Sequence, residues 1–385
     1  MAIDPQRAPP DVGHALIIIG RVRRPPRPVS SPIRSEAGTA AALVAWFRRH
    51  RRDLPWRHAP PPLQAGRRRD PYRVWVSEIM LQQTTVKAVI PYYERFLGAF
   101  PTLRALARAR PATVLAAWSG LGYYRRARHL HEAARLVERR HDGRVPSDRE
   151  ALLALPGIGR YTAGAILSLA HGQAEPIVDG NVARVLCRLL GERRDPRTRE
   201  AEARLWRVAA DLVAAARHPG DLNEALMELG ATVCTPVSPT CPRCPVRRDC
   251  RARAAGLQER IPPPRERRPG VRLRRQVGLV ERNGRLLVRR RAGTGLMDGL
   301  WEFPDLGEEN GNGRFETLER LGTVKHFVTY RKFEVAVHRA RLAGEAPRGW
   351  RWVTPAALRR LPTSSLVGKV LSTWSGECGG CSISR

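Results

Sequence analysis

The sequence predicts two folded domains, a larger all-α one followed by a smaller α+β one. Three observations carry this. Apolar residues recur at helix spacing from about residue 40 to 256, with no turn-linked strand pair in that stretch. Four cysteines then fall within 17 residues, at 234–250. Finally, a proline- and arginine-rich stretch at 261–269 ends the helical pattern, and alternating apolar residues replace it.

In chain order, residues 1–38 hold seven prolines and six arginines and are expected to be a disordered basic tail. Leu43, Trp46 and Phe47 begin the helical domain, assigned to 39–257. Residues 58–69, rich in proline and arginine, are expected to form an exposed basic loop. Val182, Val185, Leu186 and Leu189 mark a late amphipathic helix. A stiff linker is expected at 258–272 and the second domain at 273–376, with a short tail at 377–385. In that domain Asn283-Gly284 is a two-residue hairpin turn between apolar runs, and Phe333, Val335 and Val337 alternate as a half-buried strand. Thr354-Pro355 has the N-cap and first-turn proline of a short helix.

The chain has 385 residues and a formal charge of +32, from 68 basic and 36 acidic side chains. Only Lys87, Lys325, Lys332 and Lys369 are lysines. This balance points to a polyanionic partner, of which nucleic acid is the common one. No apolar run approaches the roughly 18–20 residues needed to span a bilayer, and none early in the chain reaches signal-peptide length. The expectation is a soluble, intracellular protein.

Cys234, Cys241, Cys244 and Cys250 have the spacing C-x6-C-x2-C-x5-C, close enough to enclose one metal centre. A tetrahedral zinc and an iron–sulfur cluster both satisfy four thiolates; the long first gap departs from zinc ribbons and favours the cluster. Cys187 lies on an apolar helix face and reads as core, and Cys378/Cys381 as a tail pair.

Leu155-Pro-Gly-Ile-Gly-Arg160 joins two helical stretches as a helix-hairpin-helix, assigned to 152–170. Gly157 and Gly159 let the turn approach a surface closely, and the next helix offers free N–H groups to a phosphate. Two carboxylates stand in contrasting surroundings. Glu78 lies in an apolar helix, where burial would raise its pKa and suit a general acid. Asp179 precedes a helix whose N-terminus favours the ionised form. A neutral and a charged acid together are the arrangement that cleaves glycosidic bonds through an oxocarbenium-like state.

These features resemble the adenine DNA glycosylases of the MutY family, within the helix-hairpin-helix superfamily that also contains endonuclease III. The resemblance covers residues 52–253. It rests on Asp-Leu-Pro-Trp-Arg at 53–57, Val-Trp-Val-Ser-Glu-Ile-Met-Leu-Gln-Gln-Thr at 74–84 and Gly-Leu-Gly-Tyr-Tyr at 120–124. Residues 155–166, Ile-Val-Asp-Gly-Asn-Val at 177–182 and the cysteine spacing complete it. It implies a helix-hairpin-helix glycosylase domain with an iron–sulfur cluster module, followed by an α+β Nudix-like domain. By the same resemblance the four cysteines hold a [4Fe–4S] cluster, Glu78 protonates adenine at N7, and Asp179 stabilises the sugar cation with support from Tyr161 and Asn181. Arg57 and Glu224 match positions that contact the flipped adenine, and Gln83 and Tyr123 match residues that wedge into the gap.

Position 161 is a lysine in relatives that also cut the backbone; Tyr161 cannot form their Schiff base. This implies a monofunctional enzyme acting as a monomer on duplex DNA with adenine opposite 8-oxoguanine or guanine, in base excision repair. An endonuclease III-like lyase and a non-enzymatic cluster-bearing DNA-binding protein are the rival readings. A repair or clamp protein as a further partner is left open by the sequence. Gly-Leu-Met-Asp-Gly-Leu-Trp-Glu-Phe-Pro at 295–304 fits the family's lesion-recognition domain, but the metal-binding glutamates of the catalytic Nudix signature are absent. The family's Phe-Ser-His recognition tip aligns with Val328-Thr329-Tyr330, where Thr329 keeps a hydroxyl and Tyr330 replaces the imidazole.

Overall fold

The computed structural model describes residues 35–58, 69–264, 269–291, 297–309, 314–328 and 330–374. Both expected domains are present. The first helix, α1 (Glu36–His50), starts inside the segment expected to be tail, because the Ser35 side chain caps it by accepting from the Gly38 N–H.

The helical domain has two lobes, each with its own core. The first contains α2 (Pro71–Leu81), α3 (Val86–Ala99), α4 (Leu103–Arg108), α5 (Pro111–Ala117), α6 (Arg125–Arg140), α7 (Arg149–Leu153) and α8 (Arg160–Ala165). Its centre is built on Trp75, Met80, Phe96, Leu106, Trp118 and Leu152. Fully burying side chains of this kind contributes about 1.5–3 kcal/mol each. The second lobe packs α1 against α9 (Gly180–Leu190), α10 (Arg199–Ala214) and α11 (Pro219–Thr232) around Phe47, Leu186, Leu212 and Leu226. The cysteine segment follows, with α12 (Arg251–Ala254). Ile261, placed in the expected linker, is instead buried in this lobe, and Arg188 Nε donates to its carbonyl at 2.8 Å. The proline-rich stretch therefore begins while still packed.

The second domain is a six-stranded sheet of β1 (Val271–Arg282), β2 (Arg285–Arg290), β3 (Trp301–Glu302), β4 (Phe315–Val328), β5 (Arg331–Leu342) and β6 (Trp350–Val353). The path is β3-β2-β1-β5-β4, with β6 on β2 and β1 parallel to β5. Asn283 and Gly284, both at positive φ, make the expected turn. The helices are α13 (Leu306–Glu309), α14 (Pro355–Leu358) and α15 (Ser365–Trp374). Thr354 caps α14 as its sequence implies, its Oγ1 accepting from the Ala357 N–H at 3.2 Å.

The domains touch. Leu300 is buried in the core of the first helical lobe. Ser119 Oγ and the Tyr124 hydroxyl both donate to the Thr363 carbonyl, at 2.8 and 2.6 Å. Among the described residues, no helix is long and apolar enough to cross a membrane.

Candidate active site

A cavity of about 490 Å³ lies between the two helical lobes, within the roughly 300–1,000 Å³ of ordinary ligand pockets. Glu78, Tyr161, Asp179, Asn181, Arg57 and Glu224 all line it. Spacing alone could not show that the two acids share one cleft; the packing of the lobes brings them together.

Helix α2 delivers Glu78. Asp70 caps it, accepting from the Tyr72 N–H at 2.9 Å, and Pro71 opens its first turn. Residues 74–80 are buried on every face of the helix, which leaves Glu78 only 5% exposed. Burial is the largest influence on its carboxyl and raises its pKa from 4.5 to about 7. The Tyr161 hydroxyl, donating to Oε2 at 2.8 Å, opposes that rise, and Glu224 and Asp179 add to it. The group is thus poised between its two protonation states at neutral pH. Tyr161 itself is held well above its ordinary pKa, first by burial and then by Glu78 and Asp179, so it remains a phenol.

Asp179 is the N-cap of α9. Its Oδ1 accepts from the Val182 N–H at 2.7 Å and its Oδ2 from Asn181 Nδ2 at 3.0 Å. Those hydrogen bonds lower the pKa, but burial in the cavity wall is larger, and the carboxyl sits above its ordinary value.

Arg57 and Glu224 are paired with each other. Arg57 Nε meets Glu224 Oε1 at 2.9 Å, and Arg57 Nη2 meets Glu228 Oε2 at 2.9 Å. Arg52 also bonds Glu228 through Nε at 2.7 Å. Arg69, expected at the end of an exposed loop, is ordered and pairs with Glu224 inside the cavity; residues 59–68 lie outside the described residues. A ligand here meets a linked polar wall of compensated charges.

Sequence reasoning missed Arg69, Glu228 and Arg184. Arg184 stands one turn into α9 and gathers Asn181 Oδ1, the Gly230 carbonyl and the Cys234 carbonyl, each at 2.8 Å. It thereby connects the amide that holds Asp179 to the cysteine segment. Gly230 permits this close approach, since a Cβ there would lie 2.6 Å from that of Asn181. Nothing in spacing reveals these contacts, most of which join segments far apart in the chain.

The four cysteines, Cys234, Cys241, Cys244 and Cys250, are free thiols that line one small cavity with Arg188, Arg247 and Arg253. Arg188 Nη1 reaches Cys234 Sγ at 3.3 Å. Burial raises the Cys244 thiol to about 12, and burial likewise raises Cys250. Among the described residues, no three His, Cys, Asp or Glu side chains converge to hold a single ion.

A second cavity, of about 860 Å³, runs between the helical and sheet domains. Gln83 and Tyr123 border it, together with Gly157, Arg125, Arg128, His326, Phe327 and Val328. Gln83 and Tyr123 are exposed and adopt positive φ, at 56° and 49°, a conformation that costs a non-glycine residue roughly 1–2 kcal/mol. Gly157, at φ 78°, needs its lack of a side chain, because a Cβ would come 2.7 Å from that of His129. Gly159 caps α8 with open space before it. Thr329 and the Cys378/Cys381 pair lie outside the described residues, whereas Tyr330 is exposed at the β4–β5 tip.

Comparison with known proteins follows these divisions. Residues 76–211 match the HhH-GPD superfamily of base excision DNA repair proteins, and residues 276–373 match the NUDIX domain. The chain is 37% identical to the adenine DNA glycosylase of Homo sapiens, over 88% of this chain and 74% of that one. It is 43% identical to the adenine DNA glycosylase of Mycolicibacterium smegmatis, over 56% of this chain and 69% of the relative. A solved structure of a thermostable thymine-DNA glycosylase shares 30% identity with a TM-score of 0.50, covering 57% of this chain and 97% of that one.

Proposed function

The chain belongs to the adenine DNA glycosylase family, and from that premise we propose that it excises adenine opposite 8-oxoguanine or guanine in duplex DNA. It is a base excision repair enzyme that hydrolyses N-glycosyl bonds. The observation that carries the proposed mechanism is the shared cavity, in which Glu78 titrates near neutrality and faces Asp179.

The target base must leave the stack to reach this cavity. Gln83 and Tyr123, on two loops at the mouth of the interdomain cleft, would occupy the space it vacates. The backbone N–H groups around Gly157 and Gly159 would hold a phosphate and set the register without reading sequence. Once adenine is seated against the Arg57–Glu224 wall, protonated Glu78 gives its proton to N7 and makes the base a better leaving group. A placed general acid contributes about 10²–10⁴-fold. As the C1′–N9 bond breaks, positive charge grows on the sugar, and Asp179, oriented by Asn181 and the Val182 N–H, stabilises it. Water then adds to C1′ and loses a proton, giving the abasic sugar; the site offers no amine at position 161, so the strand is left unbroken.

Cys234, Cys241, Cys244 and Cys250 would hold a [4Fe–4S] cluster, which would brace the segment 234–250 against α9. The sheet domain would present β4 and β5 to the base opposite adenine. The enzyme is proposed to act as a monomer in the cytoplasm, on the nucleoid.

The test is excision by the Asp179→Asn variant under single-turnover conditions. Loss of adenine release with duplex binding retained is expected, and undiminished release would contradict the assignment of Asp179.

A further inference from the structure

Helix α2, which carries Glu78, has no glycine at its C-terminus to turn the chain, in contrast to α9, which ends on Gly191 in the left-handed conformation. Its last carbonyls need donors from elsewhere. The Thr84 N–H donates to the Leu81 carbonyl at 3.3 Å, and one side chain supplies the rest of the turn. Arg126 Nη1 donates to the Ile79 and Met80 carbonyls, each at 2.9 Å, and to the Gln82 carbonyl. Its Nη2 donates to Thr84 Oγ1 at 3.2 Å and to the Gly122 carbonyl at 3.3 Å. The same guanidinium lies 5.4 Å from the ring centre of Tyr123 and 5.5 Å from that of Trp118.

Gln82 and Thr84 flank Gln83, and Gly122 precedes Tyr123. Both flanked residues are held at positive φ, which their own backbones disfavour. Among the described residues no carboxylate pairs with Arg126; its partners are carbonyls, a hydroxyl and two rings. Burial without a counter-charge lowers its pKa to about 10, so the group still carries its charge at neutral pH. An ion pair adds nothing here. What the guanidinium does is bridge two loops and the end of one helix through a planar fork of donors, a geometry that an ammonium cannot reproduce.

We infer that Arg126 is a positioning residue for base extrusion: it locks the Gln83 and Tyr123 loops to the end of the helix bearing Glu78, so that the wedge and the acid move as one body. This rests on the proposed roles of Gln83 and Tyr123. Arg126 does not itself line the cavity that holds Glu78, although its partners Gln82 and Thr84 stand at the edge of that cavity; its action is on base extrusion, the step before chemistry.

The test uses the full-length protein and a duplex carrying 2-aminopurine, a fluorescent adenine analogue, at the target position, beside single-turnover excision of adenine. Arg126→Lys keeps the positive charge, and duplex binding at fixed salt should match wild type. The extrusion signal should fall, and excision should slow about 10²-fold, the scale of a misplacement near 1 Å. The midpoint of the pH–rate profile should stay put, because Glu78 is untouched. In a background lacking both wedge side chains (Gln83→Ala with Tyr123→Ala), Arg126→Lys should cost little more. Should Arg126→Lys fail to fold, Thr84→Val removes one acceptor of the same guanidinium and is expected to weaken extrusion to a smaller degree.

Normal extrusion and excision by a folded variant would overturn the inference. So would an undiminished penalty in the wedge-less background. Failure of wild type to release adenine would overturn the parent reading and this one together; release by wild type with unimpaired extrusion by Arg126→Lys would overturn this one alone.

Discussion

Replacing Glu78 by glutamine should slow excision and, above the acid range, raise stability by an amount that depends on pH. In the unfolded chain this carboxyl ionises at its ordinary value of 4.5; in the folded protein burial holds the proton until about 7. Between those values the native state binds more protons than the unfolded state, so its stability falls as pH rises. The contribution is fully present below the unfolded pKa and is lost once pH has passed the folded one. At about 1.4 kcal/mol per tenfold, the interval amounts to about 3 kcal/mol.

Glutamine cannot ionise, and its carbonyl can still accept from the Tyr161 hydroxyl, which bonds Oε2 at 2.8 Å in the native protein. Glu78→Gln should therefore match wild type near pH 4.5 and exceed it by up to about 3 kcal/mol above roughly pH 8. For a domain of this size that raises Tm by roughly 6–12 °C. Thermal unfolding at both pH values measures the difference, and single-turnover excision measures the loss of the acid, expected at about 10²–10⁴-fold. An equal stability difference at both pH values would refute the buried-carboxyl reasoning, and normal excision by the variant would remove Glu78 from the mechanism.

Three further outcomes are expected. Tyr161→Phe removes the hydrogen bond that holds the Glu78 pKa down, so the alkaline limb of the pH–rate profile should move upward from about 7; a downward shift would contradict that contact. Cys241→Ser should abolish the visible charge-transfer absorption of the purified protein, and equal colour in variant and wild type would sink the cluster. Affinity for duplex should fall steeply with salt as arginines displace counterions, and Gly157→Ala should weaken binding to matched and mismatched duplex alike, whereas a flat salt response would remove the phosphate-gripping picture.

Some of this was legible in the sequence because it is local. The L-P-G-x-G turn, the hairpin at Asn283-Gly284, the Thr354 cap and the cysteine spacing each lie within a few residues, where spacing determines geometry. Glu78 was legible as a buried acid because apolar residues surround it in α2, from Val74 to Val76 and from Ile79 to Leu81. What escaped is what packing creates between distant segments. Arg69 read as the end of a basic loop, yet pairs with Glu224, 155 positions away. Arg184, which spacing does not single out, spans from Asn181 to the Cys234 carbonyl. Ile261 stood in a stretch whose prolines signalled a linker, but one apolar side chain sufficed to pack its start. Asp179 was legible as the cap of a helix, whereas the burial that lifts its pKa above the ordinary value comes from the depth of a cavity wall, which spacing does not show.

The central claim, base release by a monofunctional adenine glycosylase, is tested most directly by one experiment. A duplex labelled on the adenine strand, opposite 8-oxoguanine, guanine or thymine, is incubated with excess enzyme and analysed with and without alkali. Strand breaks should appear only after alkali, fastest opposite 8-oxoguanine, slower opposite guanine and least opposite thymine. Breaks without alkali would contradict the reading of Tyr161, and intact adenine in every duplex would contradict the assigned function.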